Sequence, residues 1–216
     1  MTRPKVSVIL IVYNGGQTLP LALNSLQAQT YPNWECVIVD DASNDATVEI
    51  LSSLTDPRFR VLRSQQRLGR GGARQLALES SIGEFVCTLD ADDFFYPDKL
   101  AAQVEVLERL PEIAATVGGL FFFDESLSPL GVPVGYLSPG LREVPRRPHH
   151  LRIPFGSIMF RRNMERNPTY DTLPRSEDRK FYITLLSGKN IYVEDNPSYA
   201  CRWRMFPDQV QLGLYH

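Results

Sequence analysis

Between Thr88 and Leu100 the chain reads TLDADDFFYPDKL, which sets the carboxylates of Asp90, Asp92 and Asp93 almost side by side. Carboxylates at that density repel one another unless a shared proton or a hard cation lies between them. The apolar run EFVCTL comes first, so the acids stand at the end of a predicted strand. Residues two apart on extended chain point the same way, which aims Asp90 and Asp92 into one crevice. Magnesium and manganese take only one or two protein carboxylates and complete their shell with phosphate oxygens. The pair therefore points to a divalent metal, Mn2+ or Mg2+, holding a diphosphate. Two further acids, Asp40 and Asp41, close a second apolar run, and Asp178 lies in RSEDRKF. Asp45, Asp93 and Asp98 read more simply as helix caps.

The elements that must position these acids alternate. VSVILIV (6–12), WECVIVD (34–40), RFRVLRS (58–64), EFVCTLD (84–90) and IAATVGG (113–119) read as strands, several buried on both faces. Between them, 18–29, 41–54, 71–81 and 98–110 carry helical spacing, with Thr18 as a candidate N-cap and Pro97 at a first turn. Strands alternating with helices predict an α/β fold: a Rossmann-like, mainly parallel sheet with helices on both faces. Residues 120–155 are rich in proline and glycine and read as a meander or a mobile loop, not a second domain. Beyond them a strand (155–162), a helix (176–188) and the short strands NIYVED and SYACRWR predict a small antiparallel part. The whole reads as one domain, 1–216. Its halves are 1–118, holding the phosphate-bearing ligand, and 119–216.

Composition excludes some functions. The 216 residues carry a formal net charge of -2, so no basic field draws nucleic acid or an anionic membrane. The longest apolar stretch, IAATVGGLFFF, is too short to span a bilayer. Cys36, Cys87 and Cys201 are odd in number and far apart, which predicts reduced, buried thiols. The expected location is cytoplasmic, at most peripheral to a membrane.

VSVILIVYN, QTYPNWE, VDDASNDAT, LDADD and SED, at these separations, resemble the family 2 glycosyltransferases of GT-A fold. The resemblance runs from Lys5 to about Arg204. It implies inverting, metal-dependent transfer of a sugar from a nucleoside diphosphate sugar to an acceptor hydroxyl, in surface polysaccharide or other glycoconjugate synthesis. It implies roles residue by residue. Ile11 and Tyr13 wall the nucleotide pocket, with Tyr13 against the base. Asp41 accepts a hydrogen bond from the base. Asp90 lies near ribose and metal, Asp92 is the direct metal ligand, and Asp178 is the general base. Glu177 orients the helix or the acceptor. A carboxylate facing the base favours a UDP-sugar, with dTDP- or GDP-sugars compatible.

The sequence also departs from the family pattern. The loop usually written N-x-G-x-x-x-A-R-N is RLGRGGARQ here, so Arg67 and Gln75 replace asparagines while Gly69, Ala73 and Arg74 remain. Arg67 and Arg70 are left between two roles, approach to the diphosphate or plain solvation; Arg70 is kept as a donor-binding candidate. The QxxRW motif of processive members is absent. A dinucleotide fingerprint fits neither YNGGQT nor GRGGAR. Paired aspartates on one strand cannot flank a glycosidic bond. A nucleotidyltransferase or a non-catalytic nucleotide-sugar-binding module remains the alternative. FFFDESL and YLSPG are candidate acceptor-lining stretches, and the acceptor itself is not legible.

Overall fold

The computed structural model describes residues 3–123, 139–146, 155–162, 169–170 and 177–202; Phe121, Phe155, Glu177 and residues 196–202 are described by backbone alone. FFFDESL beyond Phe123, most of YLSPG, and Ser176 lie outside the described residues.

Four parallel strands form the first half of a nine-stranded sheet: β1 (Val6–Val12), β2 (Trp34–Asp40), β3 (Phe59–Arg63) and β4 (Phe85–Asp90). β1 lies between β2 and β4, and β3 sits on the outer edge. Period-two alternation splits each central strand between two cores. Val6, Val8, Leu10, Cys36, Ile38, Phe85 and Cys87 face one side, where helices α1 (Leu19–Gln27), α2 (Thr47–Ser52) and α4 (Lys99–Arg109) pack. Ile9, Val37, Val39 and Val86 face the other, against α3 (Gly69–Ser80) and α5 (Glu177–Leu186). Helices thus cover both faces, as the continuous apolar runs require. Fully burying one such side chain contributes about 1.5–3 kcal/mol, so the apolar runs hold the strand order.

The second half is built differently. β8 (Ile158–Arg161) runs antiparallel between β4 and β6 (Ala115–Phe123), in the order β4-β8-β6. β6 then pairs in parallel with β9 (Asn190–Arg202), and β5 (Phe94–Phe95) and β7 (Gly140–Glu143) pair antiparallel with β9. Three expectations are corrected here. The meander expected over 120–155 gives up Leu120–Phe123 to β6 and Gly140–Glu143 to β7. NIYVED and SYACRWR join into one thirteen-residue strand, with Pro197 tolerated because the β6–β9 register shifts around Val117–Leu120. Gly118 and Gly119 lie at that shift, where small residues ease an irregular ladder. The helix expected over 41–54 starts only at Thr47.

Candidate active site

Register sets the site. In the parallel ladders, Val12 pairs with Asp40 and Ile11 pairs with Asp90. The carboxyl ends of β1, β2 and β4 therefore finish at one level, strands about 4.8 Å apart, with Tyr13, Asp41 and Asp90 along one edge. Ligands of open parallel sheets bind beyond that edge.

The loops after β1 and β2 are laced together. The N–H groups of Asn14, Gly15 and Gly16 donate to Ser43 Oγ, Thr47 Oγ1 and Asp45 Oδ2 at 2.9, 2.9 and 3.0 Å. The Asn44 N–H returns a bond to Asn14 Oδ1 at 2.9 Å. Thr47 N–H donates to Asp45 Oδ1 at 3.0 Å, so Asp45 opens α2 as a capping residue would while also fixing the first loop. This lacing lowers the Asp45 pKa, the Thr47 side-chain bond being the largest cause. Two non-glycine residues turn left-handed here, Asn14 at φ 50° and Ala42 at φ 64°. A Cβ on Gly15 would come 2.7 Å from Val12 Cγ2, so the first loop needs glycine there.

Asp41 is buried and well supplied with donors. Its Oδ1 accepts from Leu68 N–H at 2.6 Å; its Oδ2 accepts from Gly69 N–H at 3.1 Å and Arg67 Nε at 3.0 Å. A carboxylate offers about four acceptor positions, so one remains for a ligand. Arg67 is exposed, and its guanidinium stacks 3.3 Å above the exposed Tyr13 ring. Arg70 is exposed on the first turn of α3. Ile11 is half-buried against the α3 side of the sheet.

Asp90 ends β4, and buried Arg74, on α3, donates to its Oδ1 at 2.8 Å. The sequence kept Arg74 as a family residue without a partner; a buried guanidinium facing a strand end is the signal that finds one. Asp92 is half-buried in the turn that follows, where the Asp93 N–H donates to Asp90 O at 3.1 Å. Asp90 to Asp93 is thus a β-turn and not extended chain. The same-side argument from strand alternation is replaced by turn geometry, which keeps both carboxylates at the end of β4. Asp93 is buried in this turn, and Asp98 stands at the α4 N-cap position and accepts from Thr30 Oγ1 at 3.1 Å. Among the described residues, no three His, Cys, Asp or Glu side chains gather as a metal cage. Two carboxylates at one turn do fit a hard cation whose remaining positions are filled by a diphosphate.

Asp178 is half-buried in the first turn of α5 and accepts from Arg179 N–H at 2.7 Å. Four residues on, on the same helix face, the Tyr182 hydroxyl lies 3.5 Å from Thr88 Oγ1, two residues before Asp90. Buried Tyr170 stacks on Phe181 at 4.0 Å, and its hydroxyl has no hydrogen-bond partner among the described residues. Burial raises the pKa of both tyrosines, and the charges of Arg74 and Asp178 act on both. Asp90 acts on Tyr170 as well. The tyrosines therefore stand between the end of β4 and the start of α5. Sequence reasoning missed this pair, whose only signal is aromatic residues spaced around SEDRKF. Cys36 and Cys87 are buried thiols, as expected, and burial raises both pKa values, Cys87 to about 11.

Fold and site together define an α/β domain of GT-A type with an acidic edge. The profile of the family described as "Glycosyl transferase family 2" matches residues 7–166, and the chain belongs to that family. Among relatives, UDP-Glc:alpha-D-GlcNAc-diphosphoundecaprenol beta-1,3-glucosyltransferase WfgD of Escherichia coli is 35% identical over 102 residues, 47% of this chain and 40% of WfgD. Amylovoran biosynthesis glycosyltransferase AmsB of Erwinia amylovora is 35% identical over 108 residues, 48% of this chain and 36% of AmsB. The chain thus spans less than half the length of these curated relatives. S. aureus TarS 1–349, solved in complex with UDP, superposes with a TM-score of 0.79 at 24% identity, covering 92% of this chain and 60% of that one. At that identity the likeness establishes the fold. No helix among the described residues is long and apolar enough to cross a membrane.

Proposed function

We propose that the chain transfers a sugar from a nucleoside diphosphate sugar to an acceptor hydroxyl, with inversion at the anomeric carbon. The register of β1, β2 and β4 carries this reading, because it lines an aromatic ring and two acids along the ligand edge of the sheet. The Tyr13 ring stacks on the base, and the remaining acceptor position of Asp41 takes an N–H from it. Uracil offers that N–H at N3, whereas adenine presents an acceptor at N1. WfgD is named for a UDP-Glc donor, and TarS was solved with UDP; both support uridine. The names of WfgD and AmsB support a role in bacterial polysaccharide assembly.

Asp92 and Asp90 would hold a divalent ion, which supplies neutralising charge to the leaving diphosphate. Arg74 fixes Asp90 through its bond to Oδ1. Asp178 accepts the proton of the acceptor hydroxyl, which attacks the anomeric carbon opposite the departing diphosphate. A single displacement inverts the centre. In this reading the half 119–216, which includes Asp178, is the acceptor side.

Calorimetry with UDP tests the donor assignment. We expect binding with Mn2+ present that weakens strongly with a chelator, and weaker binding of ADP. Equal affinity with chelator removes the metal from the reading, and equal affinity for UDP and ADP removes Asp41 as the reader of the base.

A further inference from the structure

Arg67 departs from the family loop, and the transfer scheme gives it no task. Its guanidinium carbon lies 3.3 Å from the Tyr13 ring centroid, a distance at which nothing else fits between the planes. Its Nε also donates to Asp41 Oδ2. One side chain therefore covers the aromatic face at the end of β1 and fills one acceptor position of the carboxylate at the end of β2. These are the two groups assigned to the base. A base cannot lie on that face of Tyr13 until Arg67 leaves it.

Arg67 is also free to leave. Its side chain is 49% exposed, so swinging away empties no part of the core. The loop does not depend on it, because Leu68 and Gly69 hold Asp41 through backbone N–H groups. The base brings like for like: a flat ring for the flat guanidinium, and an N–H for the N–H on Asp41. Exposed cation–π and ion-pair contacts are individually weak, so the closed state is one that a nucleotide can displace.

We propose that Arg67 is a latch on the base subsite, an internal competitor that stacks on Tyr13 and pairs with Asp41 until a nucleotide displaces it. The proposal rests on the donor site proposed above. It makes apparent donor affinity the intrinsic affinity reduced by the fraction of molecules whose latch is open. The acidic edge is masked in the absence of donor, and competing flat ligands meet a closed pocket.

The test is titration of UDP and of uridine monophosphate into the wild type, Arg67→Ala and Arg67→Gln, with Mn2+ present. Thermal melts of the free variants show that they fold. The latch predicts tighter binding to both variants, by about five- to thirtyfold. The factor should be the same for the mono- and diphosphate, because the competition is at the base. Weaker or unchanged binding overturns the latch, since it means that Arg67 sandwiches the base or is idle. A gain confined to one of the two nucleotides also overturns it, since it places Arg67 at the phosphates. If the wild type binds UDP and the variants bind no better, the latch alone falls. If none of the three proteins binds either nucleotide, the donor site falls and the latch with it.

Discussion

The two sides of the site are held in different ways. On the side of β1 and β2, the acids and loops are fixed by many short bonds from backbone groups. Asp41 receives two backbone N–H donors, Asp40 Oδ1 takes the Ser43 N–H at 2.9 Å, and three successive N–H groups of the first loop are bonded to side chains of the second. On the side of α5, Asp178 is placed by its helix, and the Tyr182 hydroxyl approaches Thr88 Oγ1 of β4 at 3.5 Å. Backbone donors cannot rotate away, so the first side is preorganised for binding. A carboxylate at a helix start keeps freedom to meet a hydroxyl whose position depends on the acceptor. The contrast fits the proposed division, with ground-state binding on one side and proton transfer on the other.

The largest expected effect tests that division. Asp178→Asn keeps the shape and removes the proton acceptor. Transfer should fall by about 10²–10⁴-fold, the usual weight of general-base catalysis, while UDP affinity stays within twofold or so. Asp92→Asn should do the reverse at the binding step and weaken UDP by about tenfold or more, as loss of a charged contact does. Steady-state turnover and calorimetry on both variants separate the two sides. If Asp178→Asn turns over normally, the carboxylate does no more than complement the dipole of α5.

The division between halves was legible in the sequence only on the parallel side. Val6–Val12 and Trp34–Asp40 are continuous β-branched and apolar runs, so their bounds match the expectation to the residue. Asp41 spends its carboxylate on the loop before α3, and Asp45 divides its own between Gly16 and the start of α2 at Thr47, which no local pattern reveals. β5 is two residues long, and β9 finds its partner β6 across some seventy residues of chain; periodicity carries no signal for either. The motif positions of Tyr13, Asp41, Asp90 and Asp92 were readable. The rotation of Arg67 toward Asp41, 26 residues away in sequence, depends on tertiary neighbours and was not.

A buried polar seam joins the halves and gives a middle-sized effect. Lys99 of α4 is fully buried, donates to Gln103 Oε1 and faces the Phe95 ring. Gln103 Nε2 donates to Ser157 O at 2.8 Å, just before β8. Glu194 of β9 accepts from Thr116 of β6 and bonds Gln103. Burial lowers the Lys99 pKa to about 8, against opposing pulls from Cys87 and Glu194. The unfolded chain's lysine titrates near 10.4. Below about pH 8 both states are protonated and the fold bears the full cost of burying the charge. Between about pH 8 and 10.4 the folded state loses its proton first, so that cost fades. Wild-type stability relative to Lys99→Met should therefore rise with pH across this window, by about 1–3 kcal/mol. Cysteines and tyrosines titrating in the same range largely cancel in the difference. Denaturant melts of both chains at pH 7.5 and 10 measure it, and a flat difference shows that water reaches the seam.

The smallest effect asks whether the laced side holds strain. Ala42, directly after Asp41, has φ 64°, and an L-residue with a Cβ pays about 1–2 kcal/mol in that region. Glycine relieves the clash but adds freedom to the unfolded chain, which takes back about 0.5–1 kcal/mol. Ala42→Gly should then stabilise by about 0.5–1 kcal/mol, a rise of roughly 1–4 °C in melting temperature for a chain of this size. Asn14 is the control. It is also left-handed, at φ 50°, but asparagine tolerates that region, and its Oδ1 accepts the Asn44 N–H across the two loops. Asn14→Gly relieves little and loses that bond, so it should destabilise by about 0.5–1.5 kcal/mol. Opposite signs at two residues of the same backbone conformation would show that the lacing, and not the turn shape alone, keeps Tyr13 beside Asp41. Two shifts of the same sign would mean that the loops fold independently, and the contrast between the laced side and the α5 side would lose its physical basis.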